Sequence, residues 1–215
     1  MATMYPSINR SWKENRPLVV GVAGGMASGK STFSRFLAQK GAKLIDLDWI
    51  ARDFSDKGKP LWEAIVAGFG REFLAADGTL ARSKLGWVVF KSWNNLFLLN
   101  QLTHPFLRQV VREKLAEFSA SEIVVVDGAV LFEAGILNWV DFLIFIDAPL
   151  GLRKSRLREK GLPEREIDRR IKSQKFLPCL RRRAWKTIFN QNGKEQLQAE
   201  AEKIWFELSS HLSVD

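Results

Sequence analysis

The sequence predicts an α/β fold: a parallel sheet flanked by helices, with a helical insert and a basic helical flap. Three observations predict it. Short apolar runs rich in β-branched residues alternate with helix-patterned segments, which is how parallel sheets are built. From about Pro60 to Phe118 the pattern stays helical, too long for a simple crossover. Between Arg153 and Lys186 the chain holds 14 basic residues against 4 acidic ones.

Leu18–Ala23 is apolar and β-branched and reads as a buried strand. A glycine-rich turn follows. Ser31–Lys40 then places Phe33, Phe36 and Leu37 on one face of a helix that Gly41 ends. Lys43–Asp46 reads as the second strand. In the insert, Trp62, Ile65, Val66 and Phe69 share a helix face, with breaks expected at Gly68–Gly70, Asp77-Gly78 and His104-Pro105. Strand signals return at Ile123–Asp127 and Phe142–Asp147. Two basic helices, about Leu150–Lys160 and Glu164–Gln174, are separated by Gly161-Leu162-Pro163. A short strand near Thr187–Phe189, a turn at Asn190–Gly193 and a helix through Trp205 complete the pattern.

At 215 residues, 46% hydrophobic and 27% charged, the chain can bury a core, and this balance excludes wholesale disorder. Its apolar runs are far too short for a membrane span. The single cysteine, Cys179, rules out an internal disulfide and points to a reducing, cytoplasmic setting. Residues 1–17 read as a polar extension without a signal-peptide core, and 18–215 as one domain, with the insert at about 60–118 and the flap at about 150–186. The net charge of +9 is concentrated in the flap, a field that favours polyanions or a solvated helical face.

Gly24-Gly25-Met26-Ala27-Ser28-Gly29-Lys30-Ser31 fits G-x-x-x-x-G-K-[ST] at every fixed position, after a strand and opening a helix. Glycines let successive N–H groups turn inward onto phosphate oxygens, and the helix adds its positive end. Gly25, Ala27, Ser28, Gly29, Lys30, Ser31 and Thr32 are therefore the candidates for ATP. Lys30 would reach the β- and γ-phosphates, and the Ser31 hydroxyl is placed for Mg²⁺. Asp127, at the end of an apolar strand, is either a water-mediated Mg²⁺ ligand or a cap of the turn at Gly128. Asp46 and Asp48, two apart at the end of an extended segment, project to one side. There they are turn or N-cap residues, or one accepts a proton from an attacking hydroxyl.

The residues from Val22 to Thr32, followed by Ile45-Asp46-Leu47-Asp48-Trp49-Ile50-Ala51-Arg52, resemble the dephospho-coenzyme A kinase family, whose fold is that of P-loop kinases. Asp77–Arg82 with Leu85, Asn100–Arg108 and Leu131-Phe132-Glu133-Ala134-Gly135 are similar to further family segments in the same order. The resemblance covers about Leu18 to Trp205. It implies transfer of the ATP γ-phosphoryl group to the ribose 3′-hydroxyl of dephospho-coenzyme A, with Asp48 as base, Lys30 beside it and Arg156 as a closing lid arginine. By the same resemblance Asp46, Arg52, Arg82, His104 and Arg108 contact the acceptor, and Asn190 lies near the adenine. The bland reading of His104 is a buried turn histidine. Trp87, Phe90, Trp93 and Phe97 are core residues or the lining of a groove for the pantetheine arm. Ala23, Ala129 and Arg181-Arg182-Arg183 depart from the family pattern. Phosphates on both substrates account for the basic flap without nucleic acid. A kinase for another small metabolite, or a nucleic-acid-binding ATPase using the flap, are the competing readings.

Overall fold

The computed structural model describes residues 16–212; most of the expected N-terminal extension, residues 1–15, lies outside them. Five strands form a parallel sheet: β1 (Leu18–Gly24), β2 (Lys43–Asp46), β3 (Ile123–Asp127), β4 (Phe142–Asp147) and β5 (Lys186–Phe189). Their spatial order is β2-β3-β1-β4-β5, with Val20 of β1 opposite Val125 on one side and Phe142 on the other. Arg16 forks onto the Asp141 carboxylate at 2.6 and 2.9 Å, and the Val19 N–H donates to the same carboxylate, which fixes the start of β1 against β4.

The two-residue repeat of a strand divides the core. Val19, Ala23, Val124, Val126, Leu143 and Phe145 face one side, where they meet α2 (Leu47–Phe54), α5 (Trp93–Ala116) and α8 (Leu177–Arg183). Val20, Val22, Ile123, Val125, Ile144 and Ile146 face the other and pack on α1 (Lys30–Gln39) and α9 (Lys194–Leu212). Helix α9 supplies Leu197, Ala201, Ile204 and Leu208, the three-to-four spacing of a core-facing stripe.

The insert has its own small core, built by α3 (Pro60–Phe69), a 3-10 turn at Arg71–Phe73 and α4 (Arg82–Val89) around Leu61, Ile65, Phe73, Leu80, Leu85 and Val89. Phe54 and Phe106, with ring centres 4.9 Å apart, border both this core and the main one, and so join insert to sheet. The expected break at His104-Pro105 is corrected: α5 runs unbroken through Pro105. Leu107, Val110 and Val111 anchor the helix beyond the proline in the main core, and burial outweighs the hydrogen bond that proline removes. The flap comprises α6 (Leu150–Glu159), α7 (Glu164–Ser173) and α8, the last in a stretch to which the sequence pattern assigns no element. Pro178 is compatible with α8 because it stands in the first turn, where its missing N–H costs nothing.

Candidate active site

All five strands run the same way, so the loops after β1, β2, β3 and β4 gather at one edge of the sheet, where ligands of such folds bind. The loop after β1 is held in a strained form. Gly24 and Gly29 have φ of 149° and 105°, and Ala27 occupies the left-handed region at φ 59°. A side chain at Gly29 would collide with the Asn190 amide, and one at Gly25 with the Arg153 guanidinium. Asn190 Nδ2 donates to the Ser28 carbonyl at 2.7 Å, Arg153 Nε to that of Met26 at 2.9 Å, and Arg156 to that of Ala27 at 3.1 Å. With its carbonyls tied outward, the loop turns its N–H groups the other way. Those of Ala27, Gly29, Lys30 and Ser31 make no hydrogen bond among the described residues.

These residues open into a cavity of about 450 Å³ lined by Ala27, Gly29, Lys30, Ser31, Thr32, Arg35, Arg156, Lys160 and Asn190, among others. Unpaired N–H groups at a helix start, with cations around them, form a receptor for a polyphosphate.

A second cavity of about 310 Å³ lies on the far side of the loop, behind Met26. Leu47, Ala51, Leu96, Leu99, Phe90 and Phe176 make it largely apolar, and Asp48, Asn100, His104 and Glu133 supply polar groups. Lys30 lines the first cavity and Asp48 the second, and each acts electrostatically on the other's ionisation.

Asp48 stands in the first turn of α2, and this corrects the reading of Asp46 and Asp48 as neighbours on an extended segment. The chain turns into helix directly after Asp46, whose carboxylate caps it by accepting from Trp49 N at 2.9 Å. Asp48 is open to the cleft but walled in around it, and the loss of bulk water raises its carboxyl above the ordinary range. Lys30 opposes that rise and Asp46 adds to it. Asp127, opposite Asp46 in the sheet, is 2% exposed, and burial pushes its carboxyl up to about 6 against the pull of Lys30. Burial lowers the Lys30 ammonium, while Asp127 and then Asp48 draw it back up.

Both oxygens of Asp127 are buried without a hydrogen-bond partner, although the Ser31 hydroxyl lies close enough to favour its ionised form. A hydroxyl and a carboxylate that caps no turn are hard oxygen donors, the chemistry that suits Mg²⁺ together with phosphate oxygens.

The other sequence candidates are spread more widely. His104 is half-buried in α5, on the second cavity. Its ring meets the Glu133 backbone carbonyl, and burial holds its ionisation down. Arg82 donates to Ser55 Oγ and the Arg52 carbonyl and pairs with Asp56, tying α4 to the end of α2. Arg52, Arg82 and Arg108 line neither cavity.

Sequence reasoning missed two residues that shape the site. Arg153 is 8% exposed against Gly25, and Gln174 accepts from both Met26 N and Arg153 Nη2, at 3.0 and 2.9 Å. The available signal was that Arg153 lies one helical turn before Arg156 and so shares its face.

The dephospho-CoA kinase family profile matches residues 18–196. A dephospho-CoA kinase of Moorella thermoacetica is 36% identical over 201 residues, 92% of this chain and 95% of its own. Two solved structures are similar over 90% of this chain and 98% of theirs. A protein of Thermus thermophilus is 28% identical with a TM-score of 0.73, and a dephospho-CoA kinase of Campylobacter jejuni is 27% identical with a TM-score of 0.63. The chain belongs to the dephospho-CoA kinase family.

Proposed function

We propose that the chain phosphorylates the ribose 3′-hydroxyl of dephospho-coenzyme A with ATP, the last step of coenzyme A synthesis, in the paired cavities on either side of its phosphate loop. The observation that carries this reading is the electrostatic coupling of Lys30 and Asp48, one from the wall of each cavity. A phosphate-binding cavity alone would fit any P-loop ATPase, whereas a carboxylate in the wall of a nucleoside-sized apolar pocket fits transfer to a hydroxyl. Neither a nucleic-acid-stimulated ATPase nor a kinase for another metabolite is favoured, since the family match spans most of the chain.

In this reading ATP occupies the cavity lined by the loop, with Asn190 on its adenine side. The N–H groups of Ala27, Gly29, Lys30 and Ser31 hold the phosphates. Asp48 accepts the proton of the 3′-hydroxyl as that oxygen forms a bond to the γ-phosphorus and the bond to the β-phosphate oxygen breaks, releasing ADP. Charge spreads over the equatorial oxygens, where Lys30 and Arg156 stabilise it. Ser31 and Asp127 would hold Mg²⁺, which would neutralise phosphate charge.

The acceptor's nucleoside lies in the apolar pocket. Its diphosphate and pantetheine arm leave past Phe90 into a groove where Lys91, Arg169 and Lys172 offer charge and Trp93 an apolar face. Arg82 holds the insert against the end of α2 and Asp46 caps that helix, while Arg52 and Arg108 stand outside both cavities. Residues 18–215 act as one domain, the insert at about 60–118 taking the acceptor and the flap at about 150–186 closing on phosphates. No helix among the described residues is long and apolar enough to cross a membrane, and a reducing cytoplasm suits the single, free Cys179.

ADP release with ATP and Mg²⁺, compared among dephospho-coenzyme A, adenosine, AMP and a mixed RNA, tests the reading. Turnover chiefly with dephospho-coenzyme A, and a product heavier by one phosphoryl group, supports it. Turnover stimulated by RNA in place of that acceptor overturns it.

A further inference from the structure

The acceptor-side cavity holds a carboxylate that the transfer chemistry does not use. Glu133 follows β3 in the loop that ends at Gly135, where φ is 71°. Its neighbours Leu131 and Ala134 are buried in the main core, and its own carbonyl is met by the His104 ring, so the residue is anchored on both sides. Its Oε2 is buried and has no hydrogen-bond partner. Burial raises its carboxyl above the ordinary glutamate range. A buried carboxylate oxygen left unpaired is costly, and a bound donor is the usual resolution.

Most other polar groups of the pocket are already engaged. Thr103 Oγ1 donates to the Leu99 carbonyl at 2.8 Å, and Ser173 Oγ to that of Arg170 at 2.8 Å. Gln174 Oε1 receives Met26 N and Arg153, while Arg170 is paired with Glu166 through Nη2 and lies over the Phe90 ring, its buried Nε being a donor rather than an acceptor. Asp48 and Glu133 are then the two carboxylates facing the space where the acceptor's nucleoside lies. Asp48 takes the proton of the reacting hydroxyl.

We propose that Glu133 accepts a hydrogen bond from a donor on the acceptor's nucleoside and so determines which acceptor is used. This rests on the acceptor reading given above. A nucleoside offers two such donors, the 2′-hydroxyl beside the reacting oxygen and the exocyclic amine at the far edge of its base. A carboxylate fixed in the cavity wall, whose one recorded donor is its own backbone N–H, favours a nucleoside that carries a further donor and disfavours one that lacks it, because the latter leaves the carboxylate under-paired.

The test compares wild type, Glu133→Gln and Glu133→Ala with three acceptors: dephospho-coenzyme A, its analogue with hypoxanthine in place of adenine, and its 2′-deoxy analogue. Glu133→Ala is expected to lower kcat/KM for dephospho-coenzyme A by about 10- to 100-fold, the scale of a hydrogen bond to a charged group, with ATP affinity unchanged. Glu133→Gln, which keeps an acceptor oxygen, should restore part of that loss. With one analogue the loss should shrink to about twofold or less, which identifies the donor.

An equal loss with all three acceptors makes Glu133 merely structural and overturns the proposal, as does no loss at all. If the alanine variant fails to fold, the glutamine variant carries the same comparison. If wild type does not phosphorylate dephospho-coenzyme A, the acceptor reading falls first; if it does and the loss is uniform, only this proposal falls.

Discussion

The two cavities are built by different means. The phosphate side is a backbone structure: eight consecutive residues, three of them with positive φ, present N–H groups that need no particular side chain. The second cavity, proposed above for the acceptor, is a side-chain structure, its wall gathered from α2, the residue after α4, α5, the loop after β3 and the flap. Phosphate is recognised by charge and directed N–H groups, which one stretch of chain can supply. A nucleoside is recognised by shape and a few placed polar atoms, which only the tertiary fold assembles. Charged and strained groups therefore concentrate on the phosphate side, and packing on the other.

The sharpest way to break this division is at Lys30. Lys30→Ala is expected to lower kcat/KM by about 10²–10³, the scale for losing a charge-stabilising donor. Steady-state kinetics would check it, and near-wild-type turnover would remove the assigned role.

Asp127 tests whether the phosphate side is held at a cost to stability. Its carboxyl titrates at about 6 in the fold, against 3.8 for an ordinary aspartate. The native state therefore retains a proton that the unfolded chain gives up. This contribution is fully present below about pH 4 and is lost as pH rises through 6. It amounts to about 3 kcal/mol, from roughly 1.4 kcal/mol for each pH unit of displacement. Asp127→Asn should therefore gain stability over wild type as pH rises from 4 to 7 without ligand, while losing turnover. Thermal unfolding at both pH values decides this, and a difference in Tm that does not change with pH would contradict it.

Arg156 carries a smaller effect. It donates to the Ala27 carbonyl from the flap, so Arg156→Ala should reduce kcat by about 10-fold or more, with less change in acceptor KM. An unchanged kcat in stopped-flow or steady-state assays would take it out of the mechanism.

The same contrast explains what was legible in the sequence. The strands, the phosphate loop and the first helix follow from contiguous patterns, so Leu18–Gly24 and Lys30–Gln39 match expectation within one residue. Pro105 misled because local propensity says nothing of Val110 and Val111 anchoring α5 beyond it. Asp48 was visible as a residue but not as a helical one, since the turn into α2 depends on Asp46 capping it. Arg153 could not be placed on the phosphate loop from sequence, because its partner Met26 is 127 residues away. Glu133 stood in a recognisable segment, yet only the fold leaves its carboxylate oxygen without a partner.

The proposed transfer turns on Asp48, in the wall of the second cavity, as its base. The most direct measurement is ATP affinity by titration calorimetry alongside kcat for Asp48→Asn. ATP affinity is expected within about twofold of wild type and kcat lowered by about 10²–10⁴, the range for a general base. Parallel losses in both would make Asp48 part of nucleotide binding and contradict the claim.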